Sequence, residues 1–201
     1  EGSLLLWLWL MALLSAWMAW RKESPEKPST PLVLVGLALV QAFLALVLWT
    51  ASNPFETLQI APGEGHGLNP LLQNIGMILH PPVIFAGYTL YAIPFALSLA
   101  ALIGGELTRE WARMVRRWAL LAWLLLGVGI LLGAWWAYLE LGWGGYWGWD
   151  PVENASLIPW LTGTALLHSL MMQGRRGAFK VWNLILIAAT FLLCILATFI
   201  T

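Results

Sequence analysis

Six long apolar runs are the feature that most constrains how this chain folds. Each is about 20 residues long, which is the length that an α-helix needs to cross the hydrocarbon core of a bilayer. Inside that core every backbone N–H and C=O group must be bonded within the protein, and a helix achieves this within one segment. The sequence therefore predicts an all-α, polytopic bundle of about six transmembrane helices. The runs lie near Leu4–Trp20, Pro31–Trp49, Val83–Ile103, Trp118–Tyr138, Ala155–Met172 and Val181–Ile200.

The composition assigns the whole chain to one membrane domain. Of the 201 residues 60% are hydrophobic and only 10% are charged, which leaves no stretch suited to a separate water-soluble domain. The chain opens on Glu1 rather than Met and stops at Thr201, at the end of an apolar run. We therefore expect residues 1–201 to be a middle portion of a longer polypeptide.

The basic residues predict how the bundle is oriented. All ten Lys and Arg residues fall in alternate connections, at residues 21–27, 109–117 and 175–180. Basic loops stay on the cytoplasmic side of a membrane. The connections 50–82 and 140–160 carry acidic residues but no Lys or Arg, so we expect them, and both ends of the chain, to face outside. The neutral net charge gives no reason to expect nucleic-acid binding.

The second external connection is unusually rich in aromatic rings. Trp143, Tyr146, Trp147 and Trp149 lie within seven residues, with four glycines beside and between them. Indole and phenol rings offer flat apolar faces with a polar group at the edge, and glycine lets the backbone approach a ligand closely. This pattern favours a surface that receives a flat, mostly apolar molecule. The alternative is an aromatic belt at the membrane interface.

The end of the same connection has the pattern of a helix start. Asp150 is placed as the N-cap, Pro151 at the first helical position, and Glu153 three residues after the cap. In such a capping box each acidic side chain accepts a backbone N–H that the first turn leaves unbonded. Both acids therefore have a complete structural role without any catalytic one.

Two of the three histidines belong to the first external connection. We expect residues 69–79 to form a short helix on the membrane surface that delivers His80 to the start of the third span, with Pro81 and Pro82 beginning the span itself. A histidine held there serves either as an interfacial hydrogen-bonding residue or as a metal ligand. His66 lies in a Gly-rich stretch and is predicted to be a solvated loop residue.

The third histidine, His168, lies inside the fifth apolar run. If the outer interface lies near Pro159, His168 is about 12 Å inside the membrane at 1.5 Å per residue. Ionisable residues at such depth normally face a partner or a functional site. His168 is thus either a neutral histidine bonded to a neighbouring helix or an axial ligand of a buried haem. Cys194, in the last run, is the one cysteine and is predicted to be a buried, inert residue.

Taken together, these motifs resemble the CcmF family, the membrane subunit of bacterial cytochrome c haem lyases. The stretch WGGYWGWDPVENASLIPW is similar to the family's tryptophan-rich WWD haem-handling motif. The stretch LNPLLQNIGMILHPPVIFAGY is similar to the segment around one of its external haem-ligand histidines. The related lyase subunit for nitrite reductase would look much the same, whereas CcmC and CcsA resemble the chain less outside the motif core.

The resemblance implies two haem sites, both incomplete in this chain. His80 would be an external axial ligand of the haem awaiting attachment, and His168 would be one ligand of a permanent transmembrane haem b. The second histidine of each site would lie beyond Thr201. The surface that holds the external haem would be formed by Trp143, Tyr146, Trp147, Trp149 and Asp150.

The resemblance also implies a function and partners. The protein would receive haem from the chaperone CcmE at the periplasmic face of the bacterial inner membrane and direct its attachment to the CXXCH cysteines of apocytochrome c. A CcmH-type protein would supply the reduced thiols, and haem b would pass electrons, with quinol as a source. Two other classes stay open: a haem b or quinol electron-transfer protein that attaches nothing, and a haem transporter.

Overall fold

The computed structural model describes residues 2–20, 30–57, 63–64, 67–105 and 107–200, apart from the side chain of Thr198. In these ranges the protein is all-α, with six long helices and one short 3₁₀ helix, Pro70–Leu72. Each predicted apolar run lies inside one helix, so the predicted fold class is confirmed. His66 and the first basic connection lie outside the described residues. The helices are α1 (Gly2–Trp20), α2 (Thr30–Thr50), α3 (Ile75–Gly104), α4 (Arg109–Glu140), α5 (Pro151–Arg176) and α6 (Lys180–Ile200).

All six helices are long and apolar enough to cross a membrane, and the chain is a multi-pass membrane protein. The helices α3 and α4 have 30 and 32 residues. At 1.5 Å per residue each is about 45 to 48 Å long, which exceeds the roughly 30 Å hydrocarbon core. Their ends therefore reach beyond the apolar layer, and these ends form part of the site described below.

The centre of the bundle is α3, which packs against α1, α2, α4 and α6, while α5 packs between α4 and α6. The contact between α3 and α4 is close because glycines line it. A Cβ atom on Gly87 would lie 2.8 Å from the backbone nitrogen of Leu126, and one on Gly129 would lie 2.7 Å from the side chain of Ile84. Small residues at such positions let membrane helices approach each other and gain packing contacts.

The predicted start of the third span is wrong. The helix α3 begins at Ile75, where the side chain of Asn74 caps it by accepting a hydrogen bond from the backbone N–H of Gly76 at 2.7 Å. Pro81 and Pro82 therefore lie inside the helix rather than at its first position. A proline has no N–H to give to the carbonyl four residues earlier. His80 consequently lies in the second turn of α3, not in the connection before it.

Candidate functional site

A cavity of about 420 Å³ opens at one end of the bundle. Its volume is within the range of small-molecule and cofactor sites, roughly 300 to 1,000 Å³. The walls come from the starts of α1, α3 and α5, the end of α4 and the loop between α4 and α5. Four of the seven residues predicted from the sequence line this one cavity: His80, Trp143, Trp147 and Asp150.

The imidazole of His80 is held in one orientation by α4. Its Nδ1 atom lies 2.7 Å from the carbonyl oxygen of Gly129. A carbonyl oxygen only accepts hydrogen bonds, so Nδ1 carries the proton and donates. The neutral ring then has its lone pair on Nε2, the arrangement of a histidine prepared to bind a metal. The ring occupies the space of a missing side chain, because a Cβ on Gly133 would lie 2.6 Å from Cε1 of His80.

The segment before His80 is fastened to the end of α4. The side-chain amide of Asn74 donates a hydrogen bond to the Glu140 carboxylate at 2.6 Å. The indole N–H of Trp136 donates to the carbonyl oxygen of Leu71 at 3.1 Å. These bonds join residues more than 60 positions apart in the sequence, so they fix the start of α3 against α4 at the mouth of the cavity.

The loop between α4 and α5 is bonded internally, which gives it a defined shape. The indole N–H of Trp143 donates to the carbonyl oxygen of Gly145 at 2.8 Å. The backbone N–H of Gly148 donates to a Glu153 carboxylate oxygen at 2.8 Å. A Cβ on Gly148 would lie 3.4 Å from the Trp143 ring, so the backbone here runs in contact with the indole. Gly144 has a positive φ of 71°, a backbone conformation that glycine adopts without strain.

The predicted capping box at the start of α5 is confirmed. The Asp150 carboxylate accepts the backbone N–H of Glu153 at 2.7 Å, and the Glu153 carboxylate accepts the backbone N–H of Asp150 at 3.3 Å. Pro151 occupies the first turn, as predicted. Both carboxylates thus bind backbone N–H groups and have the structural role that the sequence predicts for them.

The other aromatic residues of the loop divide into two groups. Trp147 is half-buried in the cavity wall, and its buried indole N–H has no hydrogen-bond partner. Trp149 meets it edge to face, with ring centroids 6.0 Å apart, but is 71% exposed and does not line the cavity. Tyr146 is also outside the cavity lining and stacks on Tyr138, with centroids 4.4 Å apart.

The backbone of Trp149 has a φ of 59°, which is rare for a bulky residue. The side-chain amide of Asn154 donates to the carbonyl oxygen of Trp149 at 3.1 Å and helps to hold this conformation. Backbone strain of this kind persists only where surrounding contacts support it. The exposed position of the Trp149 ring is therefore maintained by a backbone conformation that the Asn154 hydrogen bond supports.

His168 lies apart from the cavity. The helix α5 begins at Pro151, eight residues before Pro159, so it continues past the position that the sequence analysis took as the outer interface. At 1.5 Å per residue, His168 is about 26 Å along α5 from Pro151 and about 12 Å from Arg176 at the other end. Its Nδ1 atom donates to the carbonyl oxygen of Thr164 at 2.8 Å, and the side chain is exposed.

His168 is bonded within its own helix and lies apart from any cluster of metal-ligating residues among those that the structure describes. With Nδ1 donating, the lone pair of the neutral ring is on Nε2. Within the described ranges no group of three or more His, Cys, Asp or Glu residues is placed to hold a metal ion.

The cavity includes residues that the sequence did not indicate. Trp7 of α1 is fully buried, and its ring packs against Phe85 and Tyr88 of α3 with centroids 5.9 and 5.5 Å apart. Its indole N–H has no hydrogen-bond partner. Nothing in the sequence separates Trp7 from the other tryptophans of α1, because the wall is formed by helices distant in the chain.

The fold and the site define a multi-pass helical membrane protein with a histidine and a tryptophan-rich loop at one cavity. The family model described as "Cytochrome C assembly protein" matches residues 1–201, so the chain belongs to that family. Within it, the predicted relationship to the CcmF family is confirmed by the similar proteins described next.

Relatives of both predicted types match the full chain. The "Cytochrome c-type biogenesis protein CcmF" of Pseudomonas fluorescens is 50% identical over 204 residues, covering 100% of this chain and 30% of the relative. The "Probable cytochrome c-type biogenesis protein NrfE" of Escherichia coli is 49% identical over 202 residues, covering 100% of this chain and 36% of the relative. The chain thus spans about a third of the length of the curated relatives it matches.

A solved structure has the same fold. The chain described as "Cytochrome c Heme Lyase CcmF" superposes with a TM-score of 0.81 at 39% sequence identity, covering 100% of this chain and 31% of that chain. An identity of 39% indicates membership of the same family and not only the same fold, in agreement with the similar sequences.

Proposed function

We propose that this chain is the haem-receiving part of a cytochrome c haem lyase. The observation that carries the proposal is one cavity at the end of the bundle that is lined by His80, Trp143 and Trp147, with the Nδ1 atom of His80 bonded to Gly129. Flat aromatic walls and one nitrogen ligand match a porphyrin with an iron at its centre. In this function haem is the substrate, and the cavity faces the periplasm from the bacterial inner membrane.

His80 serves as an axial ligand of the haem substrate. Its Nδ1 bond to Gly129 fixes the ring, so Nε2 is presented without reorganisation when the iron arrives. Trp143 and Trp147 supply apolar surface for the porphyrin. Tyr146 and Trp149 lie outside the cavity lining, and we propose that they contact the haem edge or the incoming protein at the exposed face of the loop.

The reaction needs positioning more than acid–base chemistry from the protein. Each CXXCH thiol of apocytochrome c adds its S–H across a haem vinyl group, which forms a C–S bond and uses the C=C double bond without net oxidation. Asp150 and Glu153 bind backbone N–H groups at the start of α5, and this structural role accounts for both acids without an acid–base step. CcmE would deliver the haem, and a CcmH-type protein would keep the thiols reduced.

His168 is proposed to hold a resident haem b through Nε2, with the second axial ligand supplied from outside residues 1–201. When bound, this haem supplies one-electron redox chemistry, with quinol as the proposed electron source. The residues of α5 contribute the orientation: the Nδ1 bond to Thr164 sets which nitrogen is available. This assignment separates a redox site on α5 from the substrate cavity at the end of the bundle.

The test uses the full-length protein in membranes, as wild type, His80→Ala and His168→Ala. We expect His168→Ala to lose the b-type signal in the reduced-minus-oxidised spectrum. We expect His80→Ala to keep that signal but to lose maturation of a reporter cytochrome c. A protein that keeps haem b and supports no maturation under any condition would instead be an electron-transfer protein, and a wild type without haem would contradict both site assignments.

A further inference from the structure

Two buried indole N–H groups in the cavity wall lack hydrogen-bond partners, those of Trp7 and Trp147. An indole N–H is a donor only, so it needs an acceptor. Buried donors in folded proteins are nearly always bonded to protein, ordered water or ligand. Both residues line the same cavity, Trp7 from α1 and Trp147 from the loop between α4 and α5, so a group that enters the cavity is a candidate acceptor for each.

We infer that Trp7 of α1 is a ligand-binding residue whose indole N–H donates a hydrogen bond to a carboxylate of the bound haem. The inference rests on the proposed function and adds an element, α1, in which the sequence indicated no functional residue. In this arrangement the Trp7 indole N–H binds the propionate end of the haem, while His80 binds the iron.

The charges of the cavity wall explain why a neutral donor is needed. None of the described residues that line the cavity is Lys or Arg. The two acidic residues there, Asp150 and Glu153, already accept backbone N–H groups of the first turn of α5 and the loop before it. Among these described residues, neutral N–H groups are the donors that a carboxylate entering the cavity can use, and hydrogen bonds to an ionised acceptor are the strong ones.

The position of Trp7 relative to His80 is fixed by packing. The indole is fully buried and contacts Phe85 and Tyr88, which lie on α3 within about two turns of His80. The donor and the iron ligand thus belong to one rigid unit, so a haem bound by both has its orientation determined at two points. Such a two-point contact distinguishes the propionate edge of the porphyrin from its vinyl edge.

The test compares two probes on the purified full-length protein: ferric haemin and haemin dimethyl ester, in which both propionates are esterified. Trp7→Phe removes the N–H donor and keeps an aromatic ring. Trp9→Phe is the matched control, because Trp9 is on the same helix, is 56% exposed and does not line the cavity. We expect Trp7→Phe to weaken haemin binding about tenfold, the size of a hydrogen bond to a charged group.

The affinity of Trp7→Phe for the ester is expected to stay within about twofold of wild type, because the ester has lost its charged acceptor. Unchanged binding of the ester also shows that the Trp7→Phe variant is folded. If Trp7→Phe does not accumulate, the ratio of haemin affinity to ester affinity is measured for Trp7→Tyr instead. Equal haemin affinity in Trp7→Phe and wild type, with binding lost in His80→Ala, overturns the role of Trp7 alone. Absence of haemin binding in wild type overturns the proposed function as well.

Discussion

The Nδ1 atom of His80 and the carbonyl oxygen of Gly129 lie 2.7 Å apart, joined by a hydrogen bond from α3 to α4. The bond is possible because the two helices approach closely along a row of small residues. Gly129 packs against Ile84, and Gly133 leaves the space that the His80 ring fills. The orientation of the proposed iron ligand is therefore a property of the α3–α4 interface.

Gly133→Ala is expected to displace the His80 ring, since the new Cβ would lie 2.6 Å from Cε1. Haemin affinity should fall by about tenfold or more, because loss of the contact that orients a ligating histidine typically costs about 10- to 100-fold in metal affinity. The control is Gly174→Ala, whose Cβ meets nothing within 4 Å. Alanine favours helices over glycine by about 1 kcal/mol, so neither change should lower the thermal stability through helix propensity. Unchanged haemin affinity in Gly133→Ala would contradict the packing argument.

Asn74→Ala is expected to loosen the outer end of α3. The change removes both the cap on Gly76 and the hydrogen bond to Glu140. Loss of an N-cap costs about 1 kcal/mol, and the lost side-chain bond adds to this. Asn69→Ala is the matched control, because Asn69 caps only the 3₁₀ helix by accepting the N–H of Leu71. Thermal unfolding in detergent should show a larger decrease for Asn74→Ala, and equal decreases would show that the bond to Glu140 adds nothing.

Two variants of Asp150 distinguish the contribution of its hydrogen-bonded cap to stability from the contribution of its negative charge. Asparagine caps helices about as well as aspartate, whereas alanine costs about 1 kcal/mol. We therefore expect Asp150→Asn to keep the wild-type unfolding temperature and Asp150→Ala to lower it. An equal loss in both variants would mean that the carboxylate charge, through the dipole of α5, provides the stabilisation instead.

Gln41 and Ser15 join α2 to α1 inside the membrane, with the amide nitrogen donating to the serine hydroxyl at 2.8 Å. Double-mutant cycles on membrane proteins give about 0.6 kcal/mol for such bonds. A cycle of Gln41→Leu and Ser15→Ala should therefore yield a coupling free energy of about that size. Additive effects on the free energy of unfolding would show that the bond contributes only packing.

Much of the fold follows from hydrophobic length alone. Each of the six apolar runs is a helix, and the capping box at Asp150 was predictable because its three residues are neighbours in the chain. The start of α3 was not predicted correctly. The helix begins after the Asn74 cap and not at the two prolines, which lie inside it. The cap at Asn74, six residues before His80, decides whether that histidine lies in a loop or in a helix.

The site was predicted less completely than the fold, for a physical reason. His80, Trp143 and Trp147 stand in local motifs, and the cavity contains all three. Trp7 entered no motif, since its position depends on how α1 packs on Phe85 and Tyr88. The orientations of Tyr146 and Trp149 likewise depend on a ring stack and on a backbone angle that the sequence pattern does not specify.

The cavity walls include Ser3 near the beginning of the described chain and Ala197 near its end. Because a ribosome releases α1 first and α6 last, these two wall residues enter the membrane at opposite ends of the synthesis of this segment. A nascent chain that has inserted only four helices lacks the start of α5 and therefore one wall of the cavity. The wall is complete only once α6 has been inserted as well.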